Sequence, residues 1–194
     1  PLDKPLRLVR DGDSASLWDE EHLVAEAVPT EFSLTVPAAP SFAQAEAASR
    51  SFIGFNDHNF STCFVCGTAR PAGDGLRIFP GATGKGLVAA PWVPDASLAD
   101  AAGEVLPEFV WAALDCPGAF ASETRSNGGV IVLGRFQVEL VSPVRAGERC
   151  VAIGWPLGEE GRKVYAGTAV YGEDGRLCGL AQAIWIEIVA TAAA

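Results

Sequence analysis

The chain has 194 residues, of which 49% are hydrophobic and 20% are charged. This length suits one ordinary domain with a short extension and argues against two full-sized domains, and the composition rules out a mainly disordered chain. The net charge of −10 argues against a basic surface that binds nucleic acid. The apolar stretches are interrupted well before the ~18 residues that a membrane-spanning helix needs, so we expect no membrane span.

Cysteine and methionine usage bears on the compartment and on the form of the chain. Five cysteines is an odd number, and with no apolar leader sequence it favours a reducing, cytoplasmic location over a disulfide framework. Methionine is absent even at position 1. We therefore expect the chain to be a processed or incomplete form.

Residues 1–50 are predicted to form an N-terminal hairpin, a connector and a short helix. Apolar alternation on both sides of an acidic turn at residues 19–21 predicts the hairpin. Two prolines mark the connector, and Ser41 with Gln44 three residues later is a capping-box pattern that opens a helix ending near Arg50. The hairpin pattern recurs weakly at residues 167–179. Either two hairpins share alternation and an acidic turn, or the first hairpin is the remnant of a second copy of the fold.

Residues 51–188 are predicted to form the main domain, with residues 189–194 as a tail. A loop rich in Gly, Pro, Asn and Asp leads to a strand at residues 76–79, and a turn at 81–86 leads to a second strand at 87–93. Apolar residues at helical spacing predict one buried helix from Leu106 to about Ser122, with Pro107 at its first position.

The last third of the chain is predicted to contain four long strands, at residues 130–140, 149–157, 163–171 and 177–188. Short glycine-containing turns join them, so we expect a meander of consecutive antiparallel neighbours. The whole pattern predicts an α+β domain in which one antiparallel sheet of at least six strands encloses a single helix.

Residues 58–188 resemble the hotdog-fold thioesterase superfamily, in particular its phenylacetyl-CoA-thioesterase-like branch. The segments that carry the resemblance are Cys63 to Gly67 leading into Gly75 to Arg77, the helix Glu108 to Asp115, and Val141 to Val144 followed by Gly147 and Glu148. The resemblance implies a hotdog fold, with the N-terminal hairpin as part of a degenerate second hotdog copy if the weak repeat is real. It also implies an acyl-CoA or other acyl-thioester hydrolase that acts as a homodimer. We expect no cofactor, no nucleic acid partner and no membrane partner.

Asp115 is the main catalytic candidate. In the resembling family the helix carboxylate at this position acts on the thioester as general base for water or as nucleophile, which implies the same role for Asp115. On a helical wheel Asp115 lies opposite the apolar stripe, so an ordinary solvated carboxylate is the alternative. Residues 86–124 contain no Lys or Arg, and we expect burial and like charge to raise the pKa of Asp115.

Glu108 is the second catalytic candidate, and a favourable interaction with the helix dipole is its alternative role. Relatives commonly carry a His-Gly-Gly turn before this helix, whereas Pro107 occupies that region here and cannot donate an N–H. The alternative function is therefore a non-catalytic hotdog module that binds acyl-CoA or a hydrophobic ligand.

The candidate substrate-binding residues flank the helix and the strand that follows it. They are Trp111, Arg125, Asn127, Gly128 and Arg135. The arginines could meet the phosphates of a CoA-like ligand, and a solvated rim is their alternative role.

His58, Cys63 and Cys66 could supply three zinc ligands, but no second cysteine pair follows them. We expect the other three cysteines in helix or strand contexts far away from this pair. We therefore expect no metal and assign the pair to turn packing. Cys116 is next to Asp115 and could be a nucleophile. With no histidine on the helix beside it, we expect a small buried hydrophobic residue.

Overall fold

The computed structural model describes residues 3–84, 86–122 and 129–188. They form two compact units, divided between Ser33 and Leu34. The first unit is an antiparallel sheet of three strands, β1 (Arg7–Asp11), β2 (Ser14–Asp19) and β3 (His22–Ala27). The predicted hairpin is confirmed as β2 and β3, and β1 is an addition. Residues 3–33 contain no helix, and the origin of this sheet from a second hotdog copy stays a prediction.

Within its described residues, the second unit contains two α-helices and six strands. The helices are α1 (Phe42–Ser49) and α2 (Pro107–Phe120), and the strands are β4 (Gly81–Gly84), β5 (Leu87–Trp92), β6 (Ile131–Leu140), β7 (Cys150–Glu160), β8 (Lys163–Tyr171) and β9 (Leu177–Glu187). The strands form one antiparallel sheet in the order β4-β5-β7-β8-β9-β6. Helix α1 begins with the predicted capping box of Ser41 and Gln44, and it packs on β4 and β5. None of the helices in the described ranges has the length and hydrophobicity needed to cross a membrane.

The predicted strand at residues 76–79 is wrong. These residues form no strand, and strand pairing begins instead at Gly81, inside the stretch predicted to be a turn. The N–H groups of Leu76 and Ile78 donate to the carbonyls of Phe64 and Val65 at 2.8 and 2.9 Å. The apolar run therefore holds the long loop against the core, because burial alone does not specify strand geometry.

The predicted four-strand meander is also wrong in its first member. Strands β7, β8 and β9 are consecutive neighbours, but β6 pairs with β9 at the edge of the sheet, from Ile131 opposite Glu187 to Leu140 opposite Gly179. Alternation shows that a strand is half-buried, but it does not identify the neighbouring strand.

Helix α2 matches the predicted helix and lies against β7, β8 and β9. Its buried residues include Val110, Leu114 and Phe120. The helix and β7 approach closely at Gly154, where a Cβ would overlap the carbonyl oxygen of Pro117. This contact holds the part of the helix that carries Asp115 and Cys116 at a fixed distance from the sheet.

Candidate active site

Three cysteine sulfurs meet where the long loop before β4 contacts helix α2. The Sγ of Cys116 lies 3.1 Å from that of Cys66 and 3.6 Å from that of Cys63. The expectation that Cys116 lies far from the pair is therefore wrong, because the loop folds back onto the helix across 50 residues of sequence. Cys116 is buried as expected, and all five cysteines are free thiols.

The loop conformation depends on a tight turn and on one histidine. The N–H of Gly67 donates to the carbonyl of Cys63 at 2.9 Å, and a Cβ at Gly67 would overlap that carbonyl. His58 accepts from the N–H of Phe60 through Nδ1, so the proton is on Nε2, which donates to the carbonyl of Cys66 at 2.9 Å. Both ring nitrogens of His58 are engaged, and the histidine positions the cysteine loop.

The cysteine sulfurs share hydrogen bonds that move their pKa values in opposite directions. Hydrogen bonds from Cys116 and Cys66 and from the backbone N–H groups of Cys66 and Val65 lower the pKa of Cys63. The hydrogen bonds of Cys116 to Cys63 and Cys66, together with its burial, raise the pKa of Cys116. Cys63 is therefore the member of the cluster that deprotonates most readily.

Asp115 precedes Cys116 on helix α2 and is half-buried. Its Oδ2 lies 3.9 Å from the Sγ of Cys116, and its Oδ1 is buried with no hydrogen-bond partner among the described residues. Burial and negative charge at Cys63 raise the pKa of Asp115 to about 7, against a smaller opposing effect of the hydrogen bond from Cys116. The predicted direction of the pKa shift is confirmed.

A cavity of about 210 Å³ opens beside Asp115 and the three cysteines. Its other walls are mainly apolar and include Phe60, Phe120, Ile131, Leu133 and Trp185. The indole Nε1 of Trp185 is buried and has no hydrogen-bond partner within the described ranges. The cavity wall thus contains both an unpaired acceptor, on Asp115, and an unpaired donor, on Trp185. Sequence reasoning missed Trp185 because its position in an alternating strand is typical of a core residue.

Glu108 does not reach this cavity. It is exposed on the first turn of α2, and seven residues at 1.5 Å per residue place it about 10 Å from Asp115 along the helix axis. The neighbouring N–H of Phe109 already donates to the carbonyl of Leu106 at 3.0 Å.

The predicted binding residues are also away from the cavity where the structure describes them. Trp111 is 42% exposed and packs edge-on against Phe136, with ring centroids 5.9 Å apart. Arg135 is exposed on β6. Neither side chain lines the cavity. The other three predicted binding residues, Arg125, Asn127 and Gly128, lie outside the described residues.

A larger cleft of about 920 Å³ lies between the connector, α1 and the end of β7. Its polar side chains are those of Gln44, Ser51 and Thr83, and no ionisable side chain of the described residues lines it. The smaller cavity beside Asp115 is therefore the better candidate for chemistry.

No family model matches the sequence, and no curated protein matches it. Solved structures resemble the fold, among them the following three. A Streptococcus mutans protein bound to acetyl-CoA has a TM-score of 0.53 and 10% identity over 62% of this chain and 94% of its own. A hypothetical thioesterase of Streptococcus pneumoniae TIGR4 with coenzyme A has a TM-score of 0.51 and 11% identity over 56% of this chain and 84% of its own. The PaaI protein from the phenylacetic acid degradation operon of Escherichia coli has a TM-score of 0.50 and 12% identity over 55% of this chain and 80% of its own.

These similarities confirm the fold. The second unit has the hotdog fold of thioesterase structures, in which an antiparallel sheet encloses one central helix.

Proposed function

We propose that the protein binds an acyl-CoA or another acyl-thioester in the cavity beside Asp115 and hydrolyses it. The observation that carries the proposal is a carboxylate on the central helix, with one buried and unpartnered oxygen, at an apolar cavity. Structures of the same fold that hold coenzyme A or acetyl-CoA support a thioester ligand.

The carboxylate of Asp115 acts as general base in this proposal. It accepts a proton from a water molecule whose oxygen attacks the thioester carbonyl. The C–S bond then breaks and the proton passes to the leaving sulfur, so one water and one thioester yield one carboxylic acid and one thiol. Apolar walls favour this reaction because their low dielectric strengthens local electrostatic interactions. Direct attack by Asp115 to form an anhydride, which water then hydrolyses, gives the same products.

The developing oxyanion needs a hydrogen-bond donor. The start of helix α2 does not supply one through Pro107, which has no N–H, or through Phe109, whose N–H is engaged. The Nε1–H of Trp185 is buried, unpartnered and part of a side chain that lines the cavity. We assign polarisation of the thioester carbonyl to Trp185.

A second copy of the chain is proposed to close the site. Trp111 is 42% exposed on helix α2, Phe64 is 37% exposed, and Leu133 is 40% exposed at the cavity wall. A homodimer would cover these side chains. Sedimentation should show a dimer for the parent and a monomer for Trp111→Glu, whereas Leu8→Glu in the separate N-terminal sheet should stay dimeric. A monomeric parent would refute this assembly.

The test of catalysis is a hydrolysis screen against short, long and aromatic acyl-CoAs, followed by chromatography of the products. Asp115→Asn should lower kcat by about 10²–10⁴-fold. Asp95→Asn, at an exposed aspartate outside the cavity, is the control and should be unchanged. Activity that survives in Asp115→Asn but is lost in Glu108→Gln would assign the catalytic carboxylate to Glu108, at the start of α2.

Binding of acyl-CoA without turnover of any substrate would favour the alternative, a non-catalytic hotdog module. Calorimetric titration with the same acyl-CoAs separates this outcome from a protein that does not bind thioesters at all.

A further inference from the structure

We propose that Cys63, Cys66 and Cys116 bind a zinc ion whose fourth coordination position opens into the cavity beside Asp115. This inference rests on the proposed function, concerns the same cavity and deepens it. It replaces the sequence-based expectation of no metal, because the fold brings Cys116 to Cys63 and Cys66. Occupancy by the ion can nevertheless be measured without any assay of hydrolysis.

The distances between the sulfurs are close to those of a zinc site. All three Sγ atoms lie within 4.8 Å of one another. A tetrahedral zinc ion with Zn–S bonds of about 2.3 Å holds its sulfurs about 3.8 Å apart. The 3.6 Å between Cys63 and Cys116 nearly satisfies this spacing, and the 3.1 Å between Cys66 and Cys116 needs to widen by about 0.7 Å. Small side-chain rotations of the two loop cysteines can supply that change.

The cysteine loop has the local features of a metal-binding turn. Backbone N–H groups of Val65 and Cys66 point to the sulfur of Cys63, and such donors stabilise the thiolate that binds a metal. Gly67 allows the tight turn after the second cysteine, and His58 holds the carbonyl of Cys66. Hydrogen bonds of this kind orient metal ligands in proteins.

Charge also favours a cation at this position. The three sulfurs lie beside the carboxylate of Asp115, whose Oδ2 is 3.9 Å from the Sγ of Cys116. Residues 86–124, which include helix α2, contain no Lys or Arg. A divalent cation reduces the charge of three thiolates from −3 to −1, and the thiol protons are released to solvent when it binds. Thiolate ligands favour a soft metal, and zinc fits a tetrahedral sulfur-rich set.

Three protein ligands leave one position of the zinc ion open. His58 has no free ring nitrogen, and the remaining cysteines, Cys150 and Cys178, belong to β7 and β9 and do not line the cavity. The three cysteines and Asp115 all line the cavity, so the open position faces the proposed substrate. A water molecule bound there would be a donor for the unpartnered oxygen of Asp115. This arrangement of three ligands and one water is typical of catalytic zinc sites.

The test measures zinc in the full chain, purified under reducing conditions. We expect about one zinc per chain by elemental analysis, and recovery of the same stoichiometry when chelator-treated protein is titrated with Zn²⁺ against a chromophoric competitor. Co²⁺ should give the intense thiolate-to-metal absorption of a sulfur-ligated tetrahedral site. Cys63→Ser should weaken zinc binding at least tenfold, whereas Cys150→Ala, at a buried cysteine outside the cluster, should keep the parent's affinity.

Two results would overturn the zinc site. One is a folded parent chain, checked by circular dichroism, that binds neither Zn²⁺ nor Co²⁺. The other is a Cys63→Ser chain that retains the parent's affinity. Cys63 is the deciding position because it is half-buried on a loop, so its replacement disturbs the fold less than replacement of buried Cys116.

The hydrolysis assay separates failure of this site from failure of the proposed function. Zinc bound at the three cysteines without thioester hydrolysis would leave the site standing and refute the hydrolase. Hydrolysis by a chain that binds no metal would refute the zinc site and leave the hydrolase standing.

Discussion

Replacing Asp115 with asparagine is expected to stabilise the metal-free protein near neutral pH. The pKa of Asp115 rises from 3.8 to about 7 on folding. The folded state therefore holds this proton more tightly than the unfolded chain does, so the carboxyl does not lower the free energy of unfolding below about pH 4. The loss of stability grows as the pH rises towards the folded pKa and is constant above it. Asparagine fills almost the same volume without a charge and avoids this cost.

The magnitude follows from the size of the shift. A rise from 3.8 to about 7 corresponds to an upper limit of about 4 kcal/mol at 1.36 kcal/mol per pKa unit. The charged groups that face Asp115 are the sulfurs of Cys63, Cys66 and Cys116, and their contribution disappears when the thiols are neutral. The asparagine amide also carries its own desolvation cost. We therefore expect a gain of about 1–3 kcal/mol at pH 8 and no difference at pH 3.5.

The assay is urea denaturation of both chains at the two pH values, with a chelator and a reductant present. Asp95→Asn is the control, because the backbone N–H of Ser97 lowers the pKa of that exposed aspartate, and this variant should gain no stability at pH 8. An Asp115→Asn chain that is markedly less stable than the parent at pH 8 would refute the reasoning, since it would show that Asp115 is ionised and paired.

Three further predictions concern Trp185 at the cavity, the carboxylate of Glu148 and the close approach at Gly154. Trp185→Phe removes the indole donor but keeps an aromatic ring, and it should lower kcat about 10²–10³-fold in the acyl-CoA screen. Trp155→Phe at the other cleft should leave kcat unchanged. Equal losses of kcat in the two variants would contradict the donor role. Burial alone would raise the pKa of Glu148, but two hydrogen bonds from Arg176 and two from backbone N–H groups lower it. This carboxylate therefore stabilises the fold at neutral pH, and the stabilisation is lost as the pH falls through the lowered pKa. Denaturation of Glu148→Gln should show a deficit at pH 7 that shrinks in acid, and a deficit that is equal at both pH values would count against it. Gly154→Ala places a methyl group against helix α2 and should destabilise the fold by about 1–3 kcal/mol in urea denaturation. Unchanged stability would refute this and show that the helix can move away from the sheet at no cost.

The sequence by itself determined the elements that depend on neighbouring residues. Helical spacing and Pro107 located helix α2, the Ser41–Gln44 capping box located the start of α1, and alternation with glycine turns located β7, β8 and β9. These features are encoded locally because caps, turns and amphipathic periods involve side chains a few positions apart.

Only the tertiary structure decided which distant segments meet. It placed β6 beside β9 and brought Cys116 to Cys63 and Cys66. It also put Trp185 on the wall of the cavity beside Asp115. Periodicity shows which face of a strand or helix is buried, but the partner on that face is chosen by packing across the whole domain. The hydrophobic pattern thus encoded the central helix and its sheet. The chemistry of the candidate site arises from residues far apart in the printed sequence, such as Cys63 and Trp185, which both line the cavity.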